Sequence, residues 1–330
     1  MARERSVLLF GILGEDSDPS PVPAPGLAGK PDPDRVFDIP FTDDGMLTGL
    51  SVGMALAGVR PLHVYRRTDH LIRAMDQLAV AAAKVRTVFA GRTSFPFVVR
   101  AVIDRSRDEG TGFSRALPAS FAHIPGIKIV APTTPYDAKG ALIAALRSGE
   151  PVLFLEHREL YAQTGVVPKA VYTIPLGNAR VLAEGAEVTL VGISPMTVAC
   201  LRARDLLAEA GISCEVVDAL SLHPLDAETI AASVEKTGRL LVVDDGRTDC
   251  GAGAELLARM RERFEGREAV ALRRIGFRGA SSGALRGQVH EASDAAHIAS
   301  RAYAIVTHDP SVWSPAPTEV SEPLRFGAPA

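Results

Sequence analysis

Two adjacent carboxylates, Asp43 and Asp44, stand just before Gly45 and a run of small and apolar residues, 46–57, closed by Gly58. Acids at such a loop-to-helix entry have two uses. They can cap the helix, because a carboxylate accepts the free N–H groups of the first turn and suits the positive end of the dipole. They can also face a ligand held over the helix, which small side chains allow to come close. From the residues alone both readings stand. Other polar residues follow further along the chain: Arg66, Arg67, His70 and Asp76. Gly251-Ala-Gly253 follows a strand-like run, but no third glycine completes a dinucleotide fingerprint, so it reads as a helix entry.

The elements around the acids follow from hydrophobic pattern and breakers. Residues 6–13 and 35–39 are short extended runs, and 17–34 carry six prolines and read as a loop. A strand at 61–65 follows the small-residue helix. Residues 71–87 read as one helix, with apolar positions at Leu71, Ile72, Met75, Leu78, Ala82 and Val85. Strands are expected at 95–102, 126–131 and 151–156, a loop at 104–112, and helices at 114–123 and 135–148. Strands alternating with helices imply a parallel sheet covered on both faces, which makes 1–165 one α/β domain. Residues 166–185 read as a linker. A second α/β unit, 186–307, follows with strands at 187–193, 213–218, 239–244 and 269–274, and helices at 196–210, 226–234, 252–264 and 293–306. The tail, 308–330, holds five prolines and no periodic face, and reads as disordered.

At 330 residues the chain accommodates two ordinary domains, and 47% hydrophobic residues with few aromatics imply aliphatic, alanine-rich cores. Lys+Arg 36 against Asp+Glu 39 leaves a net charge of -3, with no basic field for nucleic acid or a membrane surface. Cys200, Cys214 and Cys250 form no metal pattern, and an odd count suits a reducing compartment. The N-terminal apolar run is too short for a span and is followed by acids, so it reads as a strand and not a signal peptide. A soluble cytoplasmic protein is expected.

Four stretches carry a resemblance: RVFDIPFTDDGMLTGLSVGMALAGVRPLHVYRRTDHLIRAMD at 35–76, AHIPGIKIVAPTTPYDAKGALIAALRSGEPVLFLEHRELY at 122–161, IPLGNARV at 174–181 and HPLDAETIAASVEKTGRLLVVDDG at 223–246. In this order they resemble the β subunit of the thiamine-diphosphate-dependent first component of 2-oxoacid dehydrogenase complexes of the pyruvate, branched-chain and acetoin types. The resemblance covers roughly 35–306. It implies a transketolase-like pyrimidine-binding domain followed by a transketolase C-terminal domain. It further implies thiamine diphosphate as cofactor, held between two chains. An α-type partner would hold the diphosphate and its Mg²⁺, this chain would hold the aminopyrimidine, and the assembly would be α2β2. No GDG…N motif for the diphosphate occurs here.

In the family a glutamate hydrogen-bonds a pyrimidine nitrogen and drives the tautomer that deprotonates the thiazolium carbon. Counting back from Gly58-Val59-Arg60-Pro61 puts it on Asp44; counting forward from Asp38-Ile39-Pro40 puts it on Asp43. The downstream match is longer and favours Asp44, a carboxylate one methylene shorter. Displacements of about 1 Å in such a site can cost catalysis heavily. The ring-stacking aromatic falls on His70, whose bland alternative is a surface residue at a helix start. The apolar position beside the ring falls on Arg66, which with Arg67 could read an anion or simply be solvated. Two acids of the family's buried network fall on Glu15 and Asp76; both positions keep an acid here, which favours a functional role over the alternatives of a loop acid and a helix-surface acid.

Departures from the family accumulate. Its helix before the first strand is missing. Phe113 replaces the histidine that orients the substrate carboxylate and assists acyl transfer, and phenylalanine moves no proton. Arg115 nearby could bind a carboxylate. Ala145, Ser148 and Glu150 occupy the monovalent-cation region of some relatives without deciding for or against a cation. His123 and His223 read as packed or capping residues. His290 and His297 lie in an altered C-terminal segment, so docking to an acyltransferase core stays open. Three functions follow: a β-type subunit of a 2-oxo acid dehydrogenase or decarboxylase, a carboligase component of specialised metabolism, or a catalytically degenerate subunit kept for assembly or regulation of an α-type partner.

Overall fold

The computed structural model describes residues 6–11, 34–39, 43–103, 118–277, 294–309, 313, 315 and 323–328. Glu15, Phe113, Arg115 and His290 lie outside them. The chain forms two compact units, one of Met1–Val130, Lys139–Arg158 and Lys169–Leu176, the other of Ala131–Ala138, Glu159–Pro168 and Gly177–Ala330.

In the first unit the strands are β1 (Val7–Gly11), β2 (Val36–Asp38), β3 (Arg60–Tyr65), β4 (Val98–Ile103), β5 (Lys128–Val130) and β6 (Val152–His157). They lie in the order β5-β6-β4-β3-β1-β2 and every pairing is parallel. Val98, Val99, Ala101, Val102 and Ile103 of β4 are all buried, so both faces of this central strand are covered, as a parallel sheet requires. Helix α1 (Asp44–Leu56) packs on β3, and α5 (Pro135–Arg147) follows β5 after the short helices α2 (Asp69–Arg73), α3 (Val85–Val88) and α4 (Pro118–Ala122).

The expected helix over 71–87 is broken. It becomes α2, a π-helical turn at Gln77–Ala82, and α3. The Ala83 amide donates to the Leu78 carbonyl, a five-residue reach, at 3.0 Å. The apolar spacing is helical, but the wide turn keeps Leu78, Ala82 and Ala83 all buried. Gly126 explains why the turn fits there. Its φ is +99°, and a Cβ on it would meet the Ala83 carbonyl oxygen at 2.3 Å.

The second unit contains β7 (Thr164–Gly165), β8 (Arg180–Ala183), β9 (Val188–Gly192), β10 (Cys214–Asp218), β11 (Ser221–His223), β12 (Arg239–Arg247), β13 (Ala271–Phe277) and β14 (Arg325–Phe326). Five of these make a sheet ordered β13-β12-β9-β10-β8, in which β8 alone runs antiparallel. Alternation separates its faces. Val188, Leu190, Leu241 and Val243 pack with Cys200 and Leu207 of α6 (Pro195–Glu209) and Ile298 of α9 (Ala295–Thr307). Thr189, on the other face, bonds the Ser233 carbonyl and the Thr237 hydroxyl of α7 (Ala227–Thr237), beside α8 (Ala252–Arg263).

Two stretches read as irregular contain strands. Arg180 to Ala183, inside the expected linker, is the edge strand β8, registered on β10 through Asp218 to Arg180. In the expected disordered tail, Arg325 and Phe326 pair with Thr164 and Gly165, and Trp313 stacks on Tyr303 at 4.9 Å. Neither stretch has a two-residue alternation long enough to be read; only the neighbouring strand or ring gives it a place.

Candidate functional site

Asp43 and Asp44 behave differently although they are neighbours. Asp43 is exposed, with extended backbone, and its Oδ1 accepts the Met46 amide at 2.9 Å. It is the helix cap. Asp44 opens the helix proper and is only 4% exposed. Its carboxylate meets two side chains of α2: His70 Nδ1 lies 3.2 Å from Oδ2, and Arg73 Nε lies 3.4 Å from the same oxygen. His70 and Arg73 are three residues apart and share one helix face.

The backbone of Asp44 is held as firmly as its side chain. The Thr48 hydroxyl donates to the Asp44 carbonyl at 2.7 Å, and the Tyr65 hydroxyl donates to the same oxygen at 3.1 Å. The two hydroxyls also touch each other. One turn further on, the Ser51 hydroxyl donates to the Leu47 carbonyl at 2.9 Å and lies 3.0 Å from His63 Nδ1. Ser51 has one proton and has spent it, so His63 Nδ1 carries a proton and donates. His63 and Tyr65 alternate onto one face of β3, where His63 stacks between Phe10 and Tyr65 at 4.8 and 4.3 Å.

Burial holds the His63 imidazole neutral, pushing its pKa down to about 3. Burial likewise raises the Tyr65 hydroxyl above the ordinary phenol range; the Asp44 and Asp43 charges add to this and the Thr48 hydrogen bond opposes it. Both groups are therefore uncharged and act through hydrogen bonds.

A second polar cluster lies in the other unit. Asp137 takes the Thr134 hydroxyl at 2.6 Å and Arg180 at 2.7 Å. Burial raises its pKa, against the pull of Thr134 and Arg180. Asp218 takes the Leu220 amide at 3.1 Å and the Thr197 hydroxyl at 3.2 Å. Burial and then the Asp137 charge push its pKa up to about 7. Among the described residues no group of three or more His, Cys, Asp or Glu could hold a metal ion.

A family model described as "Transketolase, pyrimidine binding domain" matches residues 11–164, and "Transketolase, C-terminal domain" matches 177–294. The β subunit of acetoin:2,6-dichlorophenolindophenol oxidoreductase from Cupriavidus necator is 38% identical over 71% of this chain and 69% of its own length. The pyruvate dehydrogenase E1 component β subunit of Bacillus subtilis is 39% identical over 70% of this chain and 71% of its own. The chain belongs to the 2-oxoacid dehydrogenase E1 β-subunit family. Solved structures agree on the fold. A split-gene transketolase superposes with a TM-score of 0.73 at 19% identity over 93% of each chain. A transketolase from Leishmania mexicana gives 0.64 at 13% identity, over 94% of this chain and 44% of its own.

Among the residues that the E1 β resemblance singles out, the structure brings Asp44 and His70 together and assigns Asp43 to capping. Arg66 is half-buried just after β3, while the contacts to the carboxylate come from α2. Asp76 does not sit in a buried network. The chain leaves α2 at Ala74, and Asp76 emerges exposed ahead of the π-helical turn, bonded by the Gln77 amide at 3.3 Å. Sequence reading missed Arg73, Tyr65, Thr48 and His63. Arg73 was visible as the residue one helical turn after His70, but the hydroxyls and ring of β3 carry no local signal.

Proposed function

We propose that the chain contributes the aminopyrimidine half of a thiamine-diphosphate site to a 2-oxo acid dehydrogenase or decarboxylase, completed by an α-type partner. The carrying observation is the Asp44 carboxylate, buried at the head of a rigid helix with a planar imidazole beside it. That donor set fits a heteroaromatic ring bearing a basic nitrogen. Asp44 would hold a proton at that nitrogen, and His70 would flank the ring. The partner would hold the diphosphate and Mg²⁺, for which this chain has no motif. When bound, the cofactor supplies a stabilised carbanion at its thiazolium carbon. The family relationship supports the cofactor and the partner; α2β2 assembly and any acyltransferase core are the finer parts of this reading.

A degenerate subunit is the second reading, and it has its own observation: Arg73 and His70 already occupy the carboxylate. Phe113 in place of the family's histidine favours an acceptor other than lipoamide, as in a carboligase, within the first reading. Calorimetric titration of thiamine diphosphate with Mg²⁺ into the chain co-purified with its α-type partner tests the choice. Binding by the wild type, with 2-oxo acid decarboxylation that Asp44→Ala loses, supports the catalytic subunit. A stable complex that binds no cofactor, or an activity indifferent to Asp44, overturns it.

A further inference from the structure

Tyr65 is 3% exposed, on a buried face it shares with His63 and against Thr48 and Asp44. A phenylalanine would fill the same volume without the cost of desolvating a hydroxyl, on the order of 1–3 kcal/mol when unsatisfied. The hydroxyl has two partners, both at the head of α1. It bonds the main-chain oxygen of Asp44 at 3.1 Å and touches Thr48, whose own hydroxyl donates to that oxygen at 2.7 Å. Three groups thus converge on one carbonyl, counting the helical amide four residues on. Two of them are Thr48's own, within α1; the Tyr65 hydroxyl is the one of the three that ties the first turn to β3, a central strand. The tie matters because of what Asp44 is. A carboxylate one methylene shorter than glutamate has less side-chain freedom to correct a misplaced backbone, and productive geometry tolerates about 0.5 Å.

We propose that Tyr65 is a positioning residue: through the Asp44 carbonyl it fixes where the Asp44 carboxylate meets a bound ring. The proposal rests on the thiamine-diphosphate reading, and Thr48 is its accomplice. A Tyr65→Phe substitution keeps the ring stack with His63 and removes only the hydroxyl.

The test is a double-mutant cycle on the complex with the α-type partner, with thiamine diphosphate and inorganic pyrophosphate titrated separately in the presence of Mg²⁺. Tyr65→Phe is expected to weaken thiamine diphosphate about three- to tenfold, the worth of one hydrogen bond, and to leave pyrophosphate unchanged. In an Asp44→Ala background the same substitution is expected to change nothing. Additive losses, or an equal loss for pyrophosphate, mean a merely structural tyrosine and overturn the proposal. Hydrogen exchange on the free chain separates this from failure of the functional reading. Tyr65→Phe should speed exchange of the Leu47 and Thr48 amides by about three- to tenfold, and no change there overturns the positioning role. If the wild-type complex binds no thiamine diphosphate while those amides do loosen, the cofactor reading fails and the proposal falls with it.

Discussion

Asp43 accepts the Met46 amide while Asp44, one residue on, turns its carboxylate toward His70 and Arg73. The difference comes from backbone: Asp43 is extended and Asp44 helical, so their side chains diverge. Asp43→Ala should therefore cost about 1 kcal/mol of stability in denaturant melts and leave thiamine-diphosphate affinity of the complex unchanged. Loss of affinity with Asp43 would return the ligand role to the cap. Asp218 gives a second residue-scale prediction. Its ordinary pKa of 3.8 rises to about 7 in the fold, through burial first and the Asp137 charge second. Between those values the folded chain holds a proton that the unfolded chain has released. Its contribution is fully present below about pH 4 and is lost as pH rises through 7. From about pH 5 to 7 the wild type should lose stability relative to Asp218→Asn, with a slope approaching about 1.4 kcal/mol per pH unit that flattens above pH 7. Parallel melting curves for the two proteins would show that the carboxyl is charged throughout.

Helix α1 meets β3 through two polar pairs, the Thr48 hydroxyl with the Tyr65 hydroxyl and the Ser51 hydroxyl with the His63 ring nitrogen. His63 makes this contact acid-sensitive with the opposite sign to Asp218. Its folded pKa is depressed to about 3 from 6.5, so the unfolded chain binds a proton that the folded chain refuses. Stability should fall as pH drops from about 6.5 toward 3. His63→Leu should remove that dependence at the expense of the Ser51 hydrogen bond, which melting temperatures across pH 4–7 would show; an unchanged pH slope would contradict it. The π-helical turn offers another element-scale test. Gly126→Ala forces a side chain into positive φ and against the Ala83 carbonyl. It should cost on the order of 2–5 kcal/mol, strain and overpacking together, measured by denaturant unfolding.

At the scale of the whole molecule, the proposed function asks the candidate site for a carboxylate toward a pyrimidine ring, and the sequence holds no GDG…N motif for a diphosphate. The chain alone should bind thiamine diphosphate with Mg²⁺ at least about a hundredfold more weakly than its complex with an α-type partner, since most of a diphosphate's affinity comes from charge-assisted bonds it would lack. Equal affinity for the free chain would show that it carries the full site. Among the described residues no helix is long and apolar enough to cross a membrane. The exposed apolar residues Met46, Leu50 and Leu56 lie on α1 itself.

The sequence by itself determined the alternation of strands and helices, the two α/β units, the family, and the acids at the head of α1. These are local matters: periodicity, breakers and a spacing counted along the chain. It favoured Asp44 over Asp43 by spacing alone, leaned to a buried role for Asp76, and took 71–87 for one helix and the 180–183 stretch for linker. Tertiary structure decided the contacts of each acid and the course of those two stretches. The direction of Asp44 depends on α2 and on a tyrosine of β3, and the π-helical turn depends on a glycine more than forty residues away. Asp76 is exposed because of where α2 ends. Each rests on contacts between residues distant in the chain, and hydrogen bonds of that kind leave no period in the sequence to read.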